Sequence, residues 1–210
     1  MCPIVIPLED YDREPDKDVL KKYQGDGITN LLFVGRIAPN KKQENVIRAF
    51  RYYRKYYNPK SRLFLVGSST GMESYLGRLQ GYVKALGSED SVIFPGQISF
   101  RAILAYYRLA DVFVCMSEHE GFCVPIIEAM YFGKPIVALR AAAVPGTLGG
   151  AGLLLEDAEP GVAAAAIDRV VKDKELQEGL RKEREKQLRK FSYEVVSERM
   201  KKCLGKIIGG

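Results

Sequence analysis

Histidine and cysteine are scarce in this sequence, which limits the metal and nucleophile chemistry that it can carry. His119 is the single histidine, and the four cysteines, Cys2, Cys115, Cys123 and Cys203, are widely spaced and form no CxxC pair. Structural zinc sites and disulfide frameworks usually show closely or regularly spaced cysteines. The sequence therefore predicts neither a metal site nor a disulfide framework, and it favours a reducing, cytoplasmic location.

Long apolar runs and charge of a single sign are also missing. No apolar run reaches the roughly 18 residues that a membrane-spanning helix needs. The N-terminus, MCPIVIPLEDYDRE, has no basic region before its apolar residues, so it does not resemble a secretory signal. The net charge is +6, and much of it comes from residues 180–190, where acids alternate with bases. We expect this segment to be a solvated helix face, with no nucleic-acid partner.

Short apolar runs alternate with helical patterns over residues 30–155. The runs cover residues 30–34, 62–66, 91–94, 111–116, the segment from Pro135, and 153–155. Between them, apolar residues recur at helical spacing, as Val46, Phe50, Tyr53 and Tyr57 do. Near-continuous apolar runs are typical of parallel strands that are buried on both faces. The sequence thus predicts an α/β fold with a doubly wound parallel sheet of five to six strands, followed by C-terminal helices.

The chain divides into three predicted regions. Residues 1–28 contain an apolar piece, Ile4 to Leu8, and a polar stretch, and are predicted to form a linker with one short strand. Residues 29–191 form the main domain. Residues 192–210 form a last helix, with Ser192 as its cap and Val196, Met200 and Leu204 on one apolar face.

Charged residues cluster in two loops that follow predicted strands. Arg36 and Lys41 bracket the loop after the strand at 30–34, and Glu120 lies on the loop after the strand at 111–116. Glu128 lies in the first turns of the helix that Pro125 opens. Each of these residues alone is consistent with ordinary surface charge. Because ligands of open α/β sheets bind at the carboxyl ends of strands, and helix N-termini favour anions, the group predicts one crevice for an anionic ligand.

The string EGFCVPIIEAM, followed by YFGKPIVA, resembles the signature of the retaining, nucleotide-sugar-dependent group 1 (family 4) glycosyltransferases, which have the GT-B fold. In that family two glutamates are separated by seven residues, as Glu120 and Glu128 are here. The family also has a Gly-Arg after a strand of its second domain and a lysine five residues after the arginine, as at Arg36 and Lys41. The resemblance is to this second, donor-binding domain.

Two positions depart from the family pattern. Cys123 stands where the family usually has glycine, and Pro145 is followed by Gly146 where a Pro-Glu pair is common. The first departure would alter the closest approach of the backbone to the sugar. The second removes an acid together with any role it would have had.

The resemblance implies a role for each matched residue. Arg36 and Lys41 would hold the diphosphate of the donor and stabilise its charge as it leaves. Glu120 would bind sugar hydroxyls and stabilise the oxocarbenium-like transition state, and Glu128 would accept hydrogen bonds from ribose hydroxyls. The other implied substrate contacts, several of them through the backbone, are Gly35, Gly67, Gly96, Ile98, His119, Gly121, Phe122, Cys123 and Val124.

The implied activity is transfer of a hexosyl unit, such as mannosyl or glucosyl, from a UDP-, GDP- or ADP-sugar in polysaccharide, lipopolysaccharide or glycolipid synthesis. No further cofactor is implied. We expect the acceptor to bind to an N-terminal domain outside this sequence, onto which residues 192–210 would pack, and we expect the isolated residues to be inactive. The complete enzyme could lie at the inner face of the membrane.

Two other functions stay open on the same scaffold. The first is a nucleotide-sugar epimerase or a sugar phosphorylase. The second is a non-catalytic nucleotide-binding module, which is disfavoured because VGRIAPN, and not GxGxxG, follows the first strand.

Overall fold

The computed structural model describes residues 6–208, with side chains through residue 204, and it confirms the doubly wound parallel sheet. The strands are Thr29–Val34 (β1), Ser61–Val66 (β2), Val92–Gly96 (β3), Val112–Cys115 (β4), Ile136–Leu139 (β5) and Leu153–Leu155 (β6). They form one sheet in the order β3-β2-β1-β4-β5-β6, and every neighbouring pair is parallel. The direction of winding therefore reverses between β1 and β4.

Helices connect the strands and cover both faces of the sheet. They are Lys17–Tyr23 (α1), Gln43–Tyr56 (α2), Glu73–Ala85 (α3), Phe100–Leu109 (α4), Val124–Tyr131 (α5), Val144–Leu148 (α6), Pro160–Lys172 (α7), Lys174–Arg189 (α8) and Tyr193–Ile208 (α9). Short 3₁₀ helices occur at Leu8–Asp12 and Pro39–Lys41. Within residues 6–208, no helix is both long enough and apolar enough to cross a lipid bilayer.

Two apolar clusters lie on opposite faces of the sheet, because successive side chains of a strand point to opposite sides. Leu31 and Phe33 of β1 belong to the cluster under α2, α3 and α7, whereas Leu32 belongs to the cluster under α4 and α5. All three are at most 1% exposed. Burial on both faces explains why the strands have nearly continuous apolar sequences.

The starts of two helices show how local sequence shapes the edge of the sheet. The side chain of Ser99 caps α4 by accepting a hydrogen bond from the Ala102 N–H at 3.2 Å. In contrast, α5 begins after Cys123, whose backbone has φ 62° and ψ 60° and whose side chain makes no capping hydrogen bond. Pro125 lies in the first turn of α5, as predicted.

The N-terminal region differs from the predicted linker with one strand. Ile4 lies outside the described residues, and Leu8 begins a 3₁₀ helix, so no strand forms over residues 6–28. Ile6, Tyr11 and Tyr23 are each 8% exposed and pack into the apolar cluster under α4 and α5. The sequence reasoning missed this because the apolar residues of the segment are separated by polar ones and lack a clear period.

Two expected apolar faces are only partly buried. Tyr57 is 38% exposed, because α2 ends at Tyr56 and the Tyr57 ring stacks on Tyr53 and does not enter the core. On α9, Val196 is fully buried, but Met200 and Leu204 are 43% and 53% exposed. The outer half of the α9 face is therefore only partly covered by the rest of the described chain.

Candidate functional site

The predicted site residues lie at the carboxyl edge of the sheet, where the winding direction reverses. β1 and β4 are hydrogen-bonded neighbours. The loops that follow them, residues 35–42 and 116–123, contain three of the four charged residues predicted to bind the ligand. In open α/β sheets, ligands usually bind outside the carboxyl ends of the strands at such a reversal point, which here lies between these two loops.

Backbone and side-chain contacts tie the two loops together. The Glu118 N–H donates to the Asn40 carbonyl at 3.1 Å, and the Asn40 side-chain amide donates to the His119 carbonyl at 3.3 Å. The Lys42 ammonium lies 3.1 Å from the Glu118 carboxylate. The two hydrogen bonds of Asn40 fix the position of one loop relative to the other, so the side chains between them are held in place, whereas the more exposed Lys42–Glu118 pair contributes little.

Lys41 and Glu120 form an ion pair across the two loops. The Lys41 Nζ donates to Glu120 Oε2 at 2.7 Å, and the side chains are only 21% and 8% exposed. Because little solvent reaches this pair, each charge stabilises the other. Removal of either residue would leave an uncompensated charge and would strongly destabilise the fold. Both residues were predicted for the site, and the structure brings them into direct contact.

Arg36 lies near the start of the loop that also contains Lys41. Its guanidinium is exposed and donates to the Thr70 carbonyl at 3.0 Å, which links the loop after β1 to the loop after β2. These loops approach closely at Gly67, where an added Cβ would lie 1.9 Å from the Gly35 carbonyl oxygen. An arginine has five N–H donors, so this contact leaves donors for an anion at the crevice.

Glu128 is held by two tyrosines that the sequence reasoning did not assign to the site. Tyr11 donates to Glu128 Oε1 at 2.6 Å, and Tyr107 donates to Oε2 at 2.6 Å. Burial, followed by the negative charge of Glu128, raises the pKa of Tyr107 well above its ordinary value. Burial and the hydrogen bond to Glu128 likewise raise the pKa of Tyr11. Both phenols thus stay protonated as donors, while the carboxylate retains lone pairs for a further donor.

No sequence signal marked Tyr11 as a partner of Glu128, because 117 residues separate them. Tyr107 lies on α4 and is fully buried. Its hydroxyl nonetheless needs a partner, since a buried tyrosine rarely leaves its O–H without an acceptor.

Cys115 and Cys123 meet beside the ion pair. Their sulfur atoms are 3.9 Å apart, and both residues are buried. One ligand atom from each of Cys115, Cys123 and Glu120 falls within 4.8 Å of the others. The hydrogen bond from Cys123 lowers the pKa of Cys115, and the same contact together with burial raises the pKa of Cys123. The spacing of the cysteines predicted no such group, which arises because the loop between β4 and α5 folds back.

The other residues near α5 that were predicted to contact the substrate lie in different environments. His119 and Gly121 are exposed on the loop. The Phe122 ring packs edge-on against Phe191, with centroids 5.7 Å apart, and the Phe122 carbonyl accepts from the Thr147 hydroxyl at 2.6 Å. Val124 is the first residue of α5, and its backbone N–H has no intrahelical acceptor, whereas Pro125 has no N–H and Ile126 donates to the Cys123 carbonyl at 3.0 Å. The backbone of this turn is therefore the part that can face an anion.

Gly96 and Ile98 lie farther along the same edge, at the end of β3. Gly96 has φ 76°, a conformation that favours glycine, and Ile98 is half-buried against the cluster under α4 and α5. β3 is separated from β1 by β2, so these residues border the crevice at a greater distance than Arg36 does.

Known proteins match most of this chain. The family described as "Glycosyl transferases group 1" matches residues 12–187. The D-inositol 3-phosphate glycosyltransferase of Acidothermus cellulolyticus is 31% identical over 159 residues, which are 73% of this chain and 34% of that protein.

Two solved structures have similar folds. Sucrose-phosphate synthase from Thermosynechococcus elongatus superposes with a TM-score of 0.78 and 25% identity, over 99% of this chain and 52% of its own. Anabaena Alr3699/HepE in complex with UDP-glucose superposes with a TM-score of 0.78 and 22% identity, over 96% of this chain and 56% of its own. The chain thus spans about half of these structures and a third of the Acidothermus protein. With the family match covering most of its length and the sheet order and site loops in place, this chain belongs to the group 1 glycosyltransferases.

Proposed function

We propose that this chain is the donor-binding domain of a retaining glycosyltransferase that takes a hexosyl unit, such as mannosyl or glucosyl, from a nucleoside-diphosphate sugar. The observation that carries the proposal is the Lys41–Glu120 ion pair, with its 2.7 Å contact, at the crevice where the sheet reverses. A cation and a carboxylate at one point match the two ends of such a donor, namely its diphosphate and its sugar hydroxyls.

The diphosphate would lie between Arg36 and Lys41. Arg36 is exposed and keeps unused donors, and Lys41 reaches the crevice from the same loop. Charge-assisted hydrogen bonds from both cations would stabilise the negative charge that grows on the leaving diphosphate. The Val124 N–H at the start of α5 would add a donor from the opposite loop.

Glu120, which pairs with Lys41, would bind the sugar hydroxyls once the donor is bound. In a front-side transfer, an oxygen of the donor phosphate takes the proton of the acceptor hydroxyl as the new glycosidic bond forms and the old one breaks. The protein then needs no general base, and its residues position the donor and stabilise charge. Glu128, held by Tyr11 and Tyr107, would accept from the ribose hydroxyls.

The acceptor would bind to an additional N-terminal domain that closes over the crevice. The exposed apolar residues Met200 and Leu204 on α9 support this, because they offer a surface for such a domain to cover. Transfer then requires both domains, since one wall alone cannot exclude water or position an acceptor. We further propose that the complete enzyme works in the cytoplasm, at the inner face of a membrane when its acceptor is a lipid.

Calorimetric titration of this chain with UDP, GDP, ADP and NAD tests the donor site. We expect one or more of the three nucleoside diphosphates to bind at a single site and NAD not to bind. Binding of NAD alone would contradict the proposal. A product assay on a longer chain with the acceptor domain tests the reaction, and consumption of inorganic phosphate or an epimerised sugar without transfer would point to the alternative enzymes.

A further inference from the structure

Cys115, Glu120 and Cys123 converge from two sides of one turn. Cys115 ends β4, Glu120 lies on the following loop, and Cys123 precedes the first residue of α5. Their exposed fractions are 2%, 8% and 5%. Two sulfur atoms and a carboxylate oxygen within 4.8 Å of one another form a donor set of the kind that transition metals bind.

We propose that these three residues form a binding site for Zn²⁺. Two Zn–S bonds of about 2.3 Å at a tetrahedral angle place the sulfur atoms roughly 3.8 Å apart. The observed separation of 3.9 Å between the Cys115 and Cys123 sulfurs meets this requirement without movement of the backbone. One oxygen of Glu120 supplies the third ligand, which leaves the other oxygen for Lys41 or a sugar hydroxyl, and a water supplies the fourth; three protein ligands and a water are the pattern of open zinc sites.

The charges of the site balance when the ion is bound. Two thiolates, the Glu120 carboxylate, the Lys41 ammonium and a divalent cation add up to zero net charge. This matters because an unbalanced charge is costly where the side chains have so little solvent. The thiolates also favour Zn²⁺ over Mg²⁺ and Ca²⁺, which prefer oxygen ligands.

The backbone conformation at Cys123 is also consistent with a ligand role for its side chain. Its φ of 62° lies in the left-handed region, where a side chain with a Cβ is disfavoured and glycine is the common residue. Lys42 and Ala142 also have positive φ values, so this conformation does not by itself require a ligand, but at Cys123 it accompanies a sulfur 3.9 Å from that of Cys115. Glycine fits the same backbone, so Cys123→Gly removes the sulfur while leaving the turn intact.

Titration with Co²⁺, a spectroscopic substitute for Zn²⁺, tests the site under reducing conditions. The Cys2→Ser/Cys203→Ser variant leaves Cys115 and Cys123 as the only thiols of the chain. We expect it to bind one Co²⁺ per chain, with an intense thiolate-to-cobalt absorption band that Zn²⁺ displaces. Cys123→Gly in the same background should lose most of that band and bind Zn²⁺ at least about tenfold more weakly.

Glu120→Gln in the same background serves as a graded control. It should keep the thiolate band, because both sulfurs remain, while binding Zn²⁺ more weakly. Absence of the band before Cys123 is changed, or an equal band afterwards, would overturn the proposal, as would thiols that only oxidise to a disulfide and bind no metal when reduced. The UDP affinity of the same variants, measured separately, distinguishes a failure of the zinc proposal from a failure of the donor-site proposal, because zinc binding requires no nucleotide.

Discussion

Replacing Lys41 with alanine should weaken the binding of nucleoside diphosphates far more than the binding of the nucleosides. Lys41 contacts Glu120 at 2.7 Å and is 21% exposed, so its ammonium is well placed to make a charge-assisted hydrogen bond to a phosphate. Such a bond contributes about 1.5–3 kcal/mol. Since each 1.36 kcal/mol is a factor of ten, the Kd for UDP should rise by about 10- to 150-fold, while the Kd for uridine should change by less than about threefold.

Lys42→Ala provides a matched control from the same loop. Lys42 also pairs with a glutamate, but its partner Glu118 is 56% exposed, and the pair should contribute less than about 1 kcal/mol. The UDP affinity of this variant should therefore stay close to that of the unchanged chain. Isothermal calorimetry on both variants, with UDP and uridine as ligands, measures all four affinities.

A loss of stability in Lys41→Ala must be separated from a loss of phosphate contact. Without Lys41, the nearly buried Glu120 carboxylate has no cation, and we expect the free energy of unfolding to fall by about 1–3 kcal/mol. The double variant Lys41→Ala/Glu120→Gln removes that buried charge and should recover most of the stability without recovering UDP affinity. Equal losses for UDP and uridine, or an equally weak Lys42→Ala, would refute the assignment of Lys41 to the diphosphate.

Three further predictions concern other parts of the chain. Glu128→Gln should lower the affinity for UDP about tenfold and remove the preference for UDP over its 2′-deoxy analogue, because a charge-assisted acceptor for the ribose is lost; an unchanged preference in calorimetry would place the ribose elsewhere. Gly67→Ala should destabilise the fold by about 1–3 kcal/mol or more, because its Cβ would lie 1.9 Å from a carbonyl oxygen. Gly81→Ala, on the open face of α3, should instead stabilise the fold by about 1 kcal/mol. Denaturant unfolding measures both, and changes in the free energy of unfolding that have the same sign would contradict the packing described. The hydrogen bond to Asp12, followed by burial, raises the pKa of Tyr131 to about 12. The stability from this contact is therefore complete below pH ~10 and is lost as the pH rises through 12. Ultraviolet titration should show one fewer high-pKa phenol in Tyr131→Phe.

The strands and most of the long helices could be predicted from sequence because their patterns are strong. Burial on both faces makes each parallel strand a nearly continuous apolar run, as at Leu31 to Phe33. Capping chemistry marks helix starts such as Ser99. α1 and α6 were missed, since seven and five residues are too few to show a period.

The candidate site was predictable in its residue types but not in its pairings. Loop positions after strands placed Lys41 and Glu120 at one edge, because all carboxyl ends of parallel strands share it, and the family resemblance singled them out as site residues. Which partner each side chain contacts depends on loop paths that have no periodic signal. The two tyrosines on Glu128, and the meeting of Cys115 with Cys123, therefore appear only once the chain is folded.

The contact between Tyr11 and Glu128 joins the 3₁₀ helix Leu8–Asp12 to α5. The phenol donates to one carboxylate oxygen at 2.6 Å, so a displacement of residues 8–12 that breaks this contact frees that oxygen for another donor. A ribose hydroxyl, which we propose that Glu128 binds, is a donor of the same kind. On that proposal, movement of residues 8–12 and binding of the nucleotide would be coupled through a single carboxylate, and each would shift the equilibrium of the other.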